Sequence, residues 1–234
     1  MALSERAHFM TLKVASEVRS RFPGLQVLAA DIRNVKVVRE SAELEKFKVS
    51  MLAEVEKRYD LQSLKDVAVF RAYRDFFWRA GLDPTKVRPA AEALIRRILR
   101  GSPLPNINSL VDAYNLASIK TEIALAAFDE DKLKGELVMR FAANGEKFRG
   151  IGMQEPKELG GGEIVISDAE KLVAIYPHRD AEETKVTEET RNVLLLVCGV
   201  PGIKEKILAE AEKVAVDYVV RFCDGREFTS KSTG

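Results

Sequence analysis

Helical and β-like patterns follow no strict βα alternation along this chain, and that order fits an α+β architecture better than a doubly wound one. Residues 14–22 (VASEVRSRF) suit a short helix stopped by Pro23 and Gly24, after which LQVLAADI reads as an apolar strand. From Ser41 to Tyr59, Leu44, Phe47, Met51, Leu52, Val55 and Tyr59 recur at helical intervals, which predicts a helix with one buried stripe. The same period runs through DVAVFRAYRDFFWRAGLDPTK until Gly81, and through RPAAEALIRRILRG from Pro89 to Gly101. After the loop SPLPNINS, residues 110–129 (LVDAYNLASIKTEIALAAFD) continue the helical character, with Asp112 predicted to cap or tie local backbone. ELVMRFA, GEKFRGIG, EIVIS, KLVAIY and NVLLLVCG then form short β-like runs separated by turns. Ile203, Ile207, Leu208, Ala211, Ala215, Tyr218, Val219 and Phe222 mark one long amphipathic helix that closes the core.

With no strict βα alternation and no internal repeat, the pattern predicts an α+β fold with a central β-sheet, peripheral helices and a small N-terminal α/β segment. A chain of 234 residues, 46% hydrophobic and 31% charged, has the material for one large domain and not for two equal ones. The expected division is an N-terminal segment over residues 1–62 packed on a main domain over 63–225, with a disordered tail over 226–234.

The 37 Lys and Arg residues against 36 Asp and Glu leave a net charge of +1. No global field therefore draws the chain to nucleic acid or membrane, and RNA contact requires a local patch. Neither DNA nor a membrane is an expected partner. The two cysteines, Cys198 and Cys223, stand in no metal-binding or disulfide-framework spacing, which points to a reducing cytoplasm without structural zinc. No run approaches the roughly 20 apolar residues of a membrane span. The opening MALSERAHFM places charges where a signal peptide needs an apolar stretch, so a cytoplasmic location is expected.

Phosphate-loop, GxGxxG, GxSxG and HExxH patterns are absent, which removes support for nucleotide hydrolysis, dinucleotide chemistry and zinc proteolysis, and no cofactor is implied. The run Gly160–Gly162 reads as a turn. Of the two histidines, His8 lies near the chain end and His178 reads as a solvent-exposed loop residue, though it follows KLVAIY at a strand end where sites collect. Arg96, Arg97 and Arg100 share one helix face. They are either dipole-favoured cations covering apolar surface or, with Arg71, Arg74, Arg79, Lys86 and Arg88, a phosphate-contacting RNA patch. Tyr73 and Trp78 among them are either stacking platforms or core.

The stretches YRDFFWRAGLDPTKVRPAAEALIRR, LPNINSLVDAYNLAS, AAFDEDKLKGELVMRFAANGEKF, GGEIVISDAEKLVAIYPHRD and TKVTEETRNVLLL, in that order, resemble the B3/4 domain of the phenylalanyl-tRNA synthetase beta subunit. That module hydrolyses wrongly charged tyrosyl ester from the phenylalanine tRNA. The resemblance extends from about Arg71 to Cys198 and is nearest to free-standing members, which lack the synthetase's catalytic and anticodon parts, so amino-acid activation is not implied. It implies a trans-editing-like protein that hydrolyses or binds a mischarged aminoacyl-tRNA end. A non-catalytic module for an amino-acid-like molecule or RNA end is the alternative. Asn115 matches the editing-pocket asparagine and is the candidate catalytic residue; Tyr114 stands for the pocket threonine, Ala126 for the histidine and Leu196 for the glutamate that recognises the tyrosine hydroxyl. Tyr114, Asn115, Tyr176, Arg179 and Asp180 are the implied substrate-binding set, with Arg88, Arg96, Arg97 and Arg100 toward the tRNA acceptor end. Arg179 and Asp180 either hold the aminoacyl group or form a surface ion pair.

Overall fold

A computed structural model describes residues 11–228 and gives an α+β fold built on two main sheets. In chain order the elements are β1 (Leu12–Val14), α1 (Ser16–Arg21), β2 (Val27–Arg33), α2 (Ala42–Arg58), α3 (Ala68–Arg79), α4 (Ala90–Leu99) and α5 (Ser109–Thr121). They continue as β3 (Leu125–Asp129), β4 (Leu137–Phe141), β5 (Lys147–Phe148), β6 (Lys157–Glu158), β7 (Ile164–Ser167), β8 (Leu172–Ile175) and β9 (Arg179–Asp180). The chain closes with β10 (Val193–Cys198), α6 (Glu205–Cys223) and β11 (Arg226–Phe228). One sheet has the order β1-β4-β7-β8-β9, the other β11-β2-β10-β3, and β5 pairs only with β6.

The helices begin and end where local chemistry directs. Ser41 caps α2 by accepting from the Leu44 amide at 3.3 Å, and Asn108 caps α5 by accepting from the Leu110 and Val111 amides at 3.2 and 3.0 Å. Gly81, at φ +78°, takes the left-handed conformation that lets the chain turn after α3. The helical reading of residues 110–129 is corrected: α5 stops at Thr121, Glu122 adopts φ 66°, and residues 125–129 become the edge strand β3. An alanine- and leucine-rich run fits either period, and pairing with β10 decides it.

β10 is buried at all six positions: β2 and β3 flank it in the sheet and α6 packs against it. At its end Gly199 is required by contact: a Cβ there would lie 2.5 Å from Leu208 Cδ1 and 2.6 Å from the Gln26 carbonyl oxygen. The N-terminal segment is woven into both sheets, β1 pairing with β4 in parallel and β2 pairing with β10 along six residues. The tail expected from residue 226 is corrected at its start, since Arg226–Phe228 pair antiparallel with β2. Residues 229–234, like His8, lie outside the described residues. Among the described residues no helix is long and apolar enough to cross a membrane.

Candidate functional site

Strand alternation builds the floor of an enclosed cavity. In the β3–β10 ladder Ala126 is the Cα partner of Leu196, and Phe128 of Leu194. Because successive side chains alternate between faces, Ala126 and Phe128 from β3, and Leu196 and Cys198 from β10, point the same way, into a cavity of about 160 Å³. Ile166 and Ala174 from the other sheet close the opposite wall, so every one of these six side chains is apolar or a buried thiol. Burial pushes the Cys198 thiol up, first by desolvation and then by the Asp180 charge, and it stays protonated.

Polar groups line the same cavity. α5 brings Tyr114 and Asn115; the β8–β9 turn brings Tyr176 and His178, and β9 brings Arg179 and Asp180. The sequence-derived set therefore lines one cavity, and of the three positions where the resemblance implies a departure from the editing pattern, Ala126 and Leu196 are partners in the β3–β10 ladder and Tyr114 stands on α5. Tyr176 contributes its ring, since its hydroxyl donates to the Gly199 carbonyl at 2.5 Å and is spent on structure. Desolvation, then the charges of Asp180 and Asp112, push the Tyr114 phenol up, so it remains a neutral donor.

Arg179 and Asp180 do not form a surface ion pair. Arg179 lays its aliphatic stem over Gly150, where a Cβ would come within 2.4 Å of Arg179 Cδ, and points Nη1 toward the Ile151 carbonyl at 3.4 Å. Among the described residues the Asp180 carboxylate has neither a hydrogen-bond donor nor a cation partner, and burial pushes its pKa from 3.8 up to about 7. His178 is not the exposed loop residue expected: its ring packs edge-on to Phe77 with centroids 6.4 Å apart, and Nδ1 is buried without a partner. Desolvation, aided by the Arg179 charge, brings its pKa down to about 4, so the imidazole is neutral at pH 7.

Asp112, beside this set in sequence, belongs to the scaffold. Its carboxylate holds Lys48 Nζ at 2.7 Å and accepts from the Ile107 amide at 3.1 Å, with 2% of the side chain exposed. It ties backbone as anticipated, while the cap of α5 is Asn108. Tyr73 is likewise core, donating to the Cys198 carbonyl at 2.6 Å and accepting from the Ala124 amide at 3.0 Å. Trp78, in contrast, is exposed and lines neither this cavity nor the cleft beside it.

That cleft, about 570 Å³, shares Ala90 and Asn115 with the enclosed cavity and is lined by Lys86, Arg88, Arg96, Arg97 and Arg100. The arginines differ in role. Arg96 is held at 3.0 Å by Glu92, a fully buried carboxylate that Arg74 also grips at 3.0 Å. Arg97 donates Nε to the Pro103 carbonyl, which fixes its stem and leaves its charge uncompensated. Arg88 and Arg100 are exposed on the cleft, and their side chains make no hydrogen bond or ion pair among the described residues. Among the described residues no group of three His, Cys, Asp or Glu is placed to hold a metal ion.

Residues 72–224 match the model of the family described as the B3/4 domain. The chain is similar to the phenylalanine–tRNA ligase beta subunit of Geobacter metallireducens, with 36% identity over 110 residues, 47% of this chain and 14% of that protein. The corresponding subunit of Fusobacterium nucleatum subsp. nucleatum is 33% identical over 112 residues, 48% of this chain and 14% of that protein. The chain thus aligns with a small part of the length of these relatives. A solved N-terminal fragment of the phenylalanyl-tRNA synthetase beta-subunit from Pyrococcus horikoshii covers 93% of this chain and is itself covered to 50%, at 15% identity and a TM-score of 0.49.

Proposed function

The chain belongs to the B3/4 domain family, and we propose that its two adjoining cavities receive the aminoacyl end of a mischarged tRNA and hydrolyse its ester. The observation that carries this reading is the place of Asn115, on the wall common to the enclosed cavity and the arginine-lined cleft. An aminoacyl group in the enclosed cavity leaves its ester carbonyl at that wall and its terminal nucleotides along the cleft. Arg88, Arg97 and Arg100 then meet the phosphates, with Arg96 braced by Glu92 beneath them.

The chemistry required is modest. Water attacks the ester carbonyl carbon, the bond to the ribose oxygen breaks, and the amino acid leaves with a free carboxyl while the ribose recovers its hydroxyl. The Asn115 amide, which makes no other hydrogen bond among the described residues, donates to the carbonyl oxygen or orients the water. A neighbouring ribose hydroxyl assists with the proton. Arg179 and Asp180 position the aminoacyl group in the enclosed cavity. The ligation named for the longer relatives is not part of the proposal. Within it, residues 63–225 form the working domain, β1 and β2 of the N-terminal segment complete its sheets, and the protein meets its tRNA in the cytoplasm.

A panel of mischarged tRNAs, with an active editing domain as control, tests the reading: at least one ester is hydrolysed well above the buffer rate, and Asn115→Ala slows it. If the control acts and this chain deacylates no member, hydrolysis is refuted. A non-catalytic binder is the second reading, favoured by one observation: Ala126 stands where the family pattern has its histidine, so the floor carries no base. It predicts ligand-dependent thermal stabilisation without turnover.

A further inference from the structure

The enclosed cavity is lined by two chemically different sets of side chains. On the floor, Ala126, Phe128, Leu196 and Cys198 offer no charged group and no side-chain oxygen, and the backbone between β3 and β10 is occupied by their ladder. A phenol hydroxyl or carboxylate carried to that floor would lose water and gain no partner, which is enough to reject it by about tenfold or more. The volume, about 160 Å³, equals the share of about five water molecules in the liquid. It suits a short aliphatic side chain and its α-carbon substituents, and it is small for an indole.

The partly buried Asp180 carboxylate lines this cavity without a donor or cation among the described residues, in company with the neutral imidazole of His178 and the neutral phenol of Tyr114. An ionised carboxylate is acceptor-only, and a buried one calls for a cation. Arg179, the adjacent candidate, is instead stacked on Gly150 with its guanidinium toward the Ile151 carbonyl. Any cation that completes this set therefore arrives with the ligand.

Resting on the assignment of this cavity to an aminoacyl group, we propose that it selects an amino acid with an uncharged, hydroxyl-free aliphatic side chain and holds its α-ammonium group on Asp180. The ammonium group's donors match the Asp180 oxygens and the Tyr114 hydroxyl oxygen, while the side chain lies on Ala126 and Leu196. The polarity that reads the ligand is then Asp180 and Tyr114, and not the β3–β10 floor.

Non-hydrolysable adenosine analogues, with the amino acid joined through a 3′-amide, separate this inference from the hydrolytic one. Leucyl, valyl, tyrosyl, aspartyl and N-acetyl-leucyl forms are titrated calorimetrically into the full chain and into Asp180→Asn. The leucyl or valyl form should bind at least about tenfold more tightly than the tyrosyl and aspartyl forms. N-acetylation should cost about tenfold in the wild type, and Asp180→Asn should weaken leucyl binding about as much while leaving the N-acetyl form unchanged, which also reports that the variant is folded. Equal binding of leucyl and N-acetyl-leucyl forms, preference for the tyrosyl or aspartyl form, or no binding by any analogue overturns the inference. A chain that passes this test yet deacylates no tRNA keeps the inference and loses hydrolysis.

Discussion

Replacing Asp180 by asparagine should make the protein more stable at slightly alkaline pH. The unpartnered carboxylate has its pKa pushed from 3.8 to about 7 by burial, so the folded state holds its proton to a higher pH than the unfolded chain does. Between about pH 4 and pH 7 the native state therefore binds more protons, and the contribution of this group to stability falls as the pH rises through that window. Three pH units at about 1.4 kcal/mol each set a ceiling of about 4 kcal/mol. Water reaching the group through the cavity lowers this to about 1–3 kcal/mol. The neighbouring Tyr114, Cys198 and His178 are all neutral at pH 7 and offer no compensation. Urea denaturation of both proteins at pH 4, 6 and 8 isolates the effect, because other carboxylates cancel in the difference. The variant should match the wild type near pH 4 and exceed it by about 1–3 kcal/mol at pH 8. A difference that does not grow with pH, or a variant less stable at pH 8, refutes the claim that the carboxylate is stranded. A group that destabilises the fold and lines a cavity is what a binding requirement leaves behind.

Asp112→Ala breaks a buried ion pair and frees the Ile107 amide; because Glu45 still holds Lys48 at 2.6 Å, the loss should sit near the lower bound of about 3–5 kcal/mol, seen as a melting temperature lowered by about 6–12 °C. Tyr73→Phe strips the Cys198 carbonyl and the Ala124 amide of a shared partner and should cost about 1–3 kcal/mol in urea unfolding, whereas a neutral outcome would show that water replaces the hydroxyl. If the cleft binds single-stranded acceptor RNA, the Arg88→Ala, Arg100→Ala double variant should reduce the slope of log K against log salt by about 1.4 in filter binding, and an unchanged slope removes both from the contact.

The helices were legible where period and punctuation agreed. α2 runs from its Ser41 cap along the apolar stripe, and α4 lies between Pro89 and Gly101 as the pattern places it. The break at Glu122 was not legible, because a residue other than glycine takes the left-handed position. What holds it there is tertiary: Arg58 Nη2 and the Tyr59 hydroxyl both donate to Glu122 Oε1 at 2.6 Å, from a helix end more than sixty residues earlier. The cavity shows the same division. Tyr114, Asn115, Tyr176, Arg179 and Asp180 could be named from motif order, but burial of His178 depends on Phe77, and the separation of Arg179 from Asp180 depends on the bare backbone of Gly150. Neither contact leaves a trace in local sequence.

The register between β3 and β10 changes the meaning of two of the three departures from the editing pattern that the resemblance implies. Taken separately, an alanine for a histidine and a leucine for a glutamate look like two independent losses. Ala126 and Leu196 are Cα partners in one antiparallel ladder, 7% and 0% exposed, and both line the cavity. Directly opposed side chains on one face share a single environment. A glutamate kept opposite an alanine would be a buried carboxylate without a neighbour, and a histidine kept opposite a leucine would be a ring nitrogen stranded in the same way. Replacing both together removes that penalty and leaves a continuous apolar floor. Asp180 makes the contrast sharper: the Ala126–Leu196 pair offers no polar side chain, while the carboxylate that lines the same cavity has neither a donor nor a cation among the described residues. Loss of function alone accounts for the first of these features and not for the second.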